Sequence, residues 1–257
     1  MNEDGRPRLF CFHHAGAGVS SFARWQRVFG EHREVVPVLL PGRDARAAEP
    51  RITDPDRLTA ELLDTLGPLL DRPYALYGHS LGALVAHTLA RTVARLGLRR
   101  PDRVVLGAAL PPHLPSPLLP APFPPDHELL CRLVAQGQLP RQALEEGEDG
   151  VWHRRALPVI RDDLKLAGAL RDTAGGPPLD VPVLAVAGHD DTVAPVTEIG
   201  QWRAYTTAGF ALRTVTGGHF FVRDARLPGL LREELDGELD GATPPSPAAV
   251  RSGSSTV

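Results

Sequence analysis

Residues 78–82 read Gly78-His79-Ser80-Leu81-Gly82, with a glycine two places to either side of a serine. A serine hydroxyl attacks a carbonyl only if it projects from a sharp turn, and such a turn brings backbone too close for side chains at the two flanking positions. Further along stand Gly188-His189-Asp190-Asp191 and Gly217-Gly218-His219-Phe220-Phe221. A hydroxyl, an imidazole and a carboxylate together perform acyl transfer. Ser80 would take the acyl group, and His219 would accept the serine proton and later hand it to the leaving group. An aspartate would hold the imidazole in one tautomer and stabilise the imidazolium. Two glycines before His219 let its loop bend back towards the serine. Asp190 and Asp191 leave their segment in different directions, so only one can face His219; the G-x-x-D spacing from Gly188 favours Asp191, with Asp190 as the alternative. The competing reading of residues 78–82 is an ordinary tight turn that happens to hold a serine.

Such a constellation needs elements to position it. Residues 74–77, Tyr-Ala-Leu-Tyr, form a short apolar run of strand character, while Leu84, Val85, Leu89 and Val93 recur at helical spacing after the serine. A helix starting there points its positive end at any oxyanion that forms. Residues 8–13 read as a buried strand running into His14-Ala15-Gly16-Ala17-Gly18, and residues 20–28 as a helix with Phe22, Trp25 and Val28 on one face. The small-residue loop can supply a second oxyanion donor, or be a plain connection. Further strands are expected at 35–40, 103–110, 181–187 and 210–215, and helices at 55–70, 197–205 and 227–239. Alternating strands and helices imply an α/β fold with a mostly parallel central sheet and helices on both faces. An insertion at about 112–178 contains no convincing strand; it opens with prolines and carries helical patterns at 128–135 and 158–170. It is too long for a single crossover and reads as a helical lid. Residues 1–240 are expected to form one domain, and residues 241–257, rich in Pro, Ser, Gly and Ala, a disordered tail.

The 257-residue chain can bury roughly 75% of its unfolded surface, so its core needs no staples. A net charge of −3 gives no pointer to nucleic acid or to an anionic membrane. Lys165 is the only lysine; the surplus of arginine reads as coding bias rather than an arginine-based binding site. Cys11 and Cys131 are too few and too far apart for a disulfide framework, and no run approaches ~18 apolar residues. A soluble, cytoplasmic, monomeric protein is expected. His79 reads as a structural or pocket-wall residue rather than a base. His13, His14 and His189 show no metal-ligand spacing, so no metal is expected.

Serine, then an acid at a strand end, then a histidine in a late loop is the α/β-hydrolase order. The match narrows further. Phe12-His13-His14-Ala15-Gly16, Leu40-Pro41-Gly42-Arg43 with Arg46 and Glu49-Pro50, the elbow 78–84, Leu157-Pro158 with Arg161-Asp162-Asp163-Leu164, and Gly217-Gly218-His219-Phe220-Phe221 together resemble the type II thioesterases. These are stand-alone α/β-hydrolases that serve polyketide synthases and nonribosomal peptide synthetases. The family usually has proline where His13 stands, methionine where Leu81 stands, and proline where Thr192 follows the aspartate. The resemblance implies Ser80, Asp191 and His219 as a triad, and the backbone N–H groups of Ala15 and Leu81 as oxyanion donors. It implies hydrolysis of acyl groups from the phosphopantetheine arm of an acyl or peptidyl carrier protein, with no cofactor of the enzyme's own. Other readings are a chain-releasing or medium-chain acyl thioesterase, a small-molecule esterase, and a non-catalytic hydrolase-fold binding module. Arg43 and Arg46 are open between a structural role, pairing with Glu49 or backbone, and contact with the pantetheine phosphate.

Overall fold

A computed structural model describes residues 5–119, 123–147 and 149–237; the tail expected at 241–257 lies outside the described residues. Six strands, β1 (Arg8–Phe12), β2 (Glu34–Val38), β3 (Tyr74–His79), β4 (Arg103–Gly107), β5 (Val183–Gly188) and β6 (Phe210–Val215), form one sheet in the order β2-β1-β3-β4-β5-β6. Every neighbouring pair is parallel. Parallel strands need crossover connections, and these put helices on both faces. β1, β3 and β5 are buried along their whole length, which is why they read as unbroken apolar runs rather than alternating ones.

One face of the sheet packs Phe10, Leu76, Val104 and Ala185 against helices α2 (Pro55–Leu66) and α3 (Leu81–Arg95). The other packs Leu9, Tyr77, Val105 and Leu184 beneath α1 (Trp25–Phe29) and the last helix, Leu227–Asp236. Between β4 and β5 the described residues contain no strand. They carry α4 (Asp126–Ala135), the short α5 (Gln142–Glu145) and α6 (Leu157–Asp172), which enclose a separate apolar cluster of Leu129, Leu133, Leu157, Ile160 and Leu164. α6 also packs on the body, with Leu166, Ala167 and Leu170 joining the α2–α3 side of the core.

Several boundaries differ from the sequence reading, each for a local reason. The helix expected at 20–28 is a 3-10 turn, Val19–Phe22, followed by the five-residue α1. The break sets the Phe22 and Trp25 rings at 79° to one another, both against Tyr77. α2 gives way to a 3-10 turn at Gly67, where Pro68 removes a backbone donor. The strand expected at 103–110 stops at Gly107 because Ala108 turns to φ +51°. The segment after β5 is a short helix, α7 (Val196–Ile199), continued by a 3-10 turn to Tyr205. The last helix of the described residues, α8 (Leu227–Asp236), ends before Gly237. Among the described residues no helix is long and apolar enough to cross a membrane.

His87, on the buried face of α3, packs against Trp202 and Tyr205. Burial, with Arg91 nearby, pushes its pKa down to about 3. A histidine held neutral in the fold but free to charge when unfolded favours the unfolded state wherever the pH lies below its ordinary value of about 6.5. Its contribution is therefore intact above that value and lost progressively as the pH falls towards 3. Thermal unfolding should show a Tm that drops between pH 7 and pH 5, with a shallower drop in His87→Leu. An unchanged slope in that variant would place the acid sensitivity elsewhere.

Candidate active site

Ser80 sits between the end of β3 and the start of α3, with φ +55°. A Cβ at Gly78 would collide with the Gly82 carbonyl, and one at Gly82 with the Phe12 carbonyl on neighbouring β1. The two glycines therefore admit a backbone crossing that no other residue allows. Ser80 N–H donates to the Gly107 carbonyl at 2.8 Å, anchoring the turn to β4. Leu81 is the first residue of α3, so its N–H is one that a helix leaves without an internal partner.

His219 lies in the loop after β6, which turns through Gly217 at φ +108°. Its Nδ1 is 2.9 Å from Asp191 Oδ2, and its Nε2 is 3.1 Å from Ser80 Oγ. A carboxylate only accepts, so Nδ1 carries the proton and Nε2 is free to accept from the serine. Asp191 is itself pinned: its Oδ1 accepts from the Val193 N–H at 2.9 Å and the Ala194 N–H at 3.0 Å, and its side chain is fully buried. Of the two adjacent acids, Asp191 reaches His219, whereas the exposed side chain of Asp190 meets His189.

The other histidines brace the site. His79 is buried, with Nε2 2.7 Å from the His219 carbonyl and Nδ1 3.0 Å from Tyr77 Oη. A carbonyl only accepts, so His79 donates through Nε2 and ties the elbow to the histidine loop. Burial, and then His219 beside it, hold its pKa well below the ordinary value. His14 packs edge-on against Phe220 and His79, and burial lowers its pKa to about 4. Among the described residues no three His, Cys, Asp or Glu side chains are grouped so as to hold a metal ion.

Ala15 joins Ser80, Leu81 and His219 in lining a cavity of about 40 Å³, walled by Leu84, Leu110, Leu119 and Leu164. The loop that carries Ala15 is clamped from two sides. Asp163, on the buried face of α6, accepts from the Gly16 N–H at 2.8 Å. Its carboxylate also takes both terminal nitrogens of Arg43, at 2.7 and 2.6 Å, and Arg43 in turn donates to the Ala17 carbonyl at 3.1 Å. Both side chains are almost fully buried. Arg43 is therefore structural, with Asp163 rather than Glu49 as its partner; Arg46 is the residue that pairs with Glu49, and with Glu61. Spacing alone does not reveal this pair, 120 positions apart. The one signal is a charged residue on the apolar stripe Ile160, Asp163, Leu164, Ala167.

With this geometry in place, comparison with known proteins is specific. The Thioesterase domain family matches residues 7–234. Thioesterase PikA5 of Streptomyces venezuelae is 33% identical over 84% of this chain and 76% of its own. The linear gramicidin dehydrogenase LgrE of Brevibacillus parabrevis is 32% identical over 86% and 84%. RedJ, a thioesterase from the prodiginine pathway of Streptomyces coelicolor, superposes with a TM-score of 0.79 at 34% identity, covering 89% of this chain and 90% of RedJ.

The clamp carries its own consequence. Asp163→Ala leaves a buried, uncompensated Arg43 and should cost about 3–5 kcal/mol of stability, read as a lower denaturant midpoint. A midpoint equal to wild type would show that the pair holds nothing in place. The serine, histidine and carboxylate thus stand in hydrogen-bonded sequence on a six-stranded parallel sheet, and the chain belongs to the Thioesterase domain family.

Proposed function

We propose that this protein acts as a type II thioesterase, removing acyl groups from the phosphopantetheine arm of acyl or peptidyl carrier proteins. The observation that carries the reading is the continuous line from Asp191 through His219 to Ser80, at 2.9 and 3.1 Å, opening on a small apolar cavity. Ser80 Oγ attacks the thioester carbonyl carbon while His219 Nε2 takes the hydroxyl proton. The carbonyl oxygen becomes an oxyanion, which the N–H groups of Ala15 and Leu81 stabilise, each worth ~3 kcal/mol. Collapse breaks the C–S bond, and the imidazolium returns the proton to the departing sulfur, leaving an acyl-Ser80. Water, deprotonated by the same nitrogen, then releases the carboxylic acid and regenerates the serine. Asp191 acts throughout by holding the ring and its Nδ1 proton.

The size of the cavity bears on the acyl group. At about 40 Å³ it is small, with room for only a few water-sized groups. Short acyl groups fit as it stands, whereas medium chains require Leu118, Leu119 or Leu164, all from the β4–β5 segment, to move. That favours clearing of short, misprimed groups over release of a finished chain.

LgrE's name raises a hydride-transfer reading, which the site does not favour. The one G-x-G stretch, Gly16-Ala17-Gly18, has Ser21 where the dinucleotide fingerprint has its third glycine. Its first N–H is committed to the Asp163 carboxylate, and the turn that follows is four residues long.

A mass-spectrometric time course on acetyl-, propionyl- and octanoyl-carrier proteins, with the matching free esters alongside, tests the reading. Carrier-bound acetyl and propionyl groups should be lost faster than octanoyl, and Ser80→Ala should abolish the loss, by up to ~10⁶-fold for a triad acting as a unit. Preferred cleavage of free esters would instead make the protein an esterase. Faster loss of octanoyl would make it a chain-releasing enzyme, and no cleavage at all a binding module.

A further inference from the structure

A cavity that Ser80 does not line is far larger than the one it does. That cavity, about 950 Å³, lies on the other side of the oxyanion loop: Ala15 lines the small acyl cavity, while its neighbours His14 and Gly16 line the large one. Four arginines converge on it from three parts of the chain. Arg24 and Arg27 come from the α1 region, Arg155 from the turn that leads into α6, and Arg223 from the loop after His219. Among the described residues none of the four has a carboxylate partner. The lining carboxylate Asp224 is taken by Arg226, and Arg43 is neutralised by Asp163. Four cations therefore face one remaining acid, Asp44. Like charges gathered in a concavity repel one another unless an anion enters, and a concave cationic wall concentrates anions. Arg223 also lies 5.0 Å above the Phe220 ring, whose centroid is 5.4 Å from that of His219. The charged wall thus begins one aromatic ring from the reacting atoms.

We propose that this cavity binds the phosphate of the pantetheine arm; the inference rests on the thioesterase reading above. An acyl group bound at Ser80 points into the small cavity, so the sulfur and the arm must leave on another side. The arm places its phosphate 13 bonds from the sulfur, about 15 Å when extended. His219 and Arg223 are separated by no more than the two spacings through the Phe220 ring, 5.4 and 5.0 Å, so an arm of that length leaving the triad on this side reaches Arg223. Guanidinium forks match phosphate oxygens in geometry and stay charged at every working pH. The phosphodiester of a carrier-bound arm and the phosphate of coenzyme A share this chemistry. Arg43 and Arg46, the arginines that the motif makes conspicuous, are spoken for by Asp163, Glu49 and Glu61.

The test compares wild type with an Arg24→Ala, Arg27→Ala, Arg155→Ala triple variant; Arg223, stacked beside the histidine loop, is left in place. The substrates are the propionyl thioesters of pantetheine, 4′-phosphopantetheine, coenzyme A and a holo carrier protein. Wild type should show a kcat/KM about tenfold higher for phosphopantetheine than for pantetheine, carried by KM, as one charge-assisted contact allows. That ratio should fall to about one in the variant, and whichever of the carrier and coenzyme A substrates loses more names the natural source of the phosphate. A wild type that cleaves both small thioesters without preference overturns the phosphate site and leaves the thioesterase reading intact. A loss confined to the carrier substrate, with the small-molecule ratio unmoved, also overturns it, in favour of contact with the carrier's protein surface. If wild type cleaves none of the four, the thioesterase reading fails and takes this site with it.

Discussion

A left-handed backbone at a residue that carries a Cβ persists only where its surroundings overdetermine it, at a cost on the order of 1–3 kcal/mol. Ser80 is such a residue, and the surroundings are identifiable. β3 lies in the interior of the sheet, hydrogen-bonded on both edges to β1 and β4. Gly78 and Gly82 let the chain cross itself and pass against the β1 carbonyls. The Gly107 carbonyl fixes the Ser80 N–H from the other side. The turn is strained, and the strands on both sides together with α3 hold it in place. The result is a hydroxyl held above the sheet, at the start of a helix, before any substrate arrives.

The remaining groups are then brought to that hydroxyl by contacts of very different sequence range. Asp191 is set by its own local turn, with two backbone N–H groups two and three residues on. His219 is held by Asp191 through its ring and by His79 through its carbonyl. Burial keeps His79 neutral, so Nδ1 can accept from the Tyr77 hydroxyl while the one N–H, at Nε2, is directed at the loop. The loop that carries Ala15 is held by something more distant, the buried Arg43–Asp163 pair that joins α6 to residues 16 and 17. α6 serves two cores, its first half packing in the insertion and its second half on the body. Any movement of the insertion that displaced Asp163 would be felt at the Gly16 N–H, one residue from Ala15. The segment that walls the Ser80 cavity and the loop that carries Ala15 are thus joined through one carboxylate.

Much of this was legible in sequence where the determinant is local. The elbow shows because two glycines and a serine must be contiguous to make the turn, and the apolar runs of β1, β3 and β5 show because both sheet faces are covered. The adjacent acids were ambiguous in sequence, and only the direction of the strand end separates Asp191 from Asp190. Strand order was not legible, since each parallel crossover permits more than one neighbour. The split of residues 20–28 into a turn and a short helix follows from seating Phe22 and Trp25 on one tyrosine, which periodicity cannot express. Arg43 stands out by its motif, but the motif is compatible with more than one role; its partner, 120 residues on, has no local pattern to announce it. Composition made the arginine surplus look like coding bias, and only the fold shows that four of those arginines share one cavity.

The central claim is that this geometry makes Ser80, alone among the serines of the chain, a nucleophile. A fluorophosphonate probe reacts with an activated serine and stays attached, so the claim can be tested without knowing the substrate. The wild-type protein would be treated with a stoichiometric excess, its intact mass recorded, and the adduct located by peptide mapping. One adduct per chain, on Ser80, and its loss in His219→Ala with the fold retained by circular dichroism, is the expected result. A folded protein that takes no adduct, or takes it at another residue, would contradict the assignment of Ser80 as the group that carries the acyl chain.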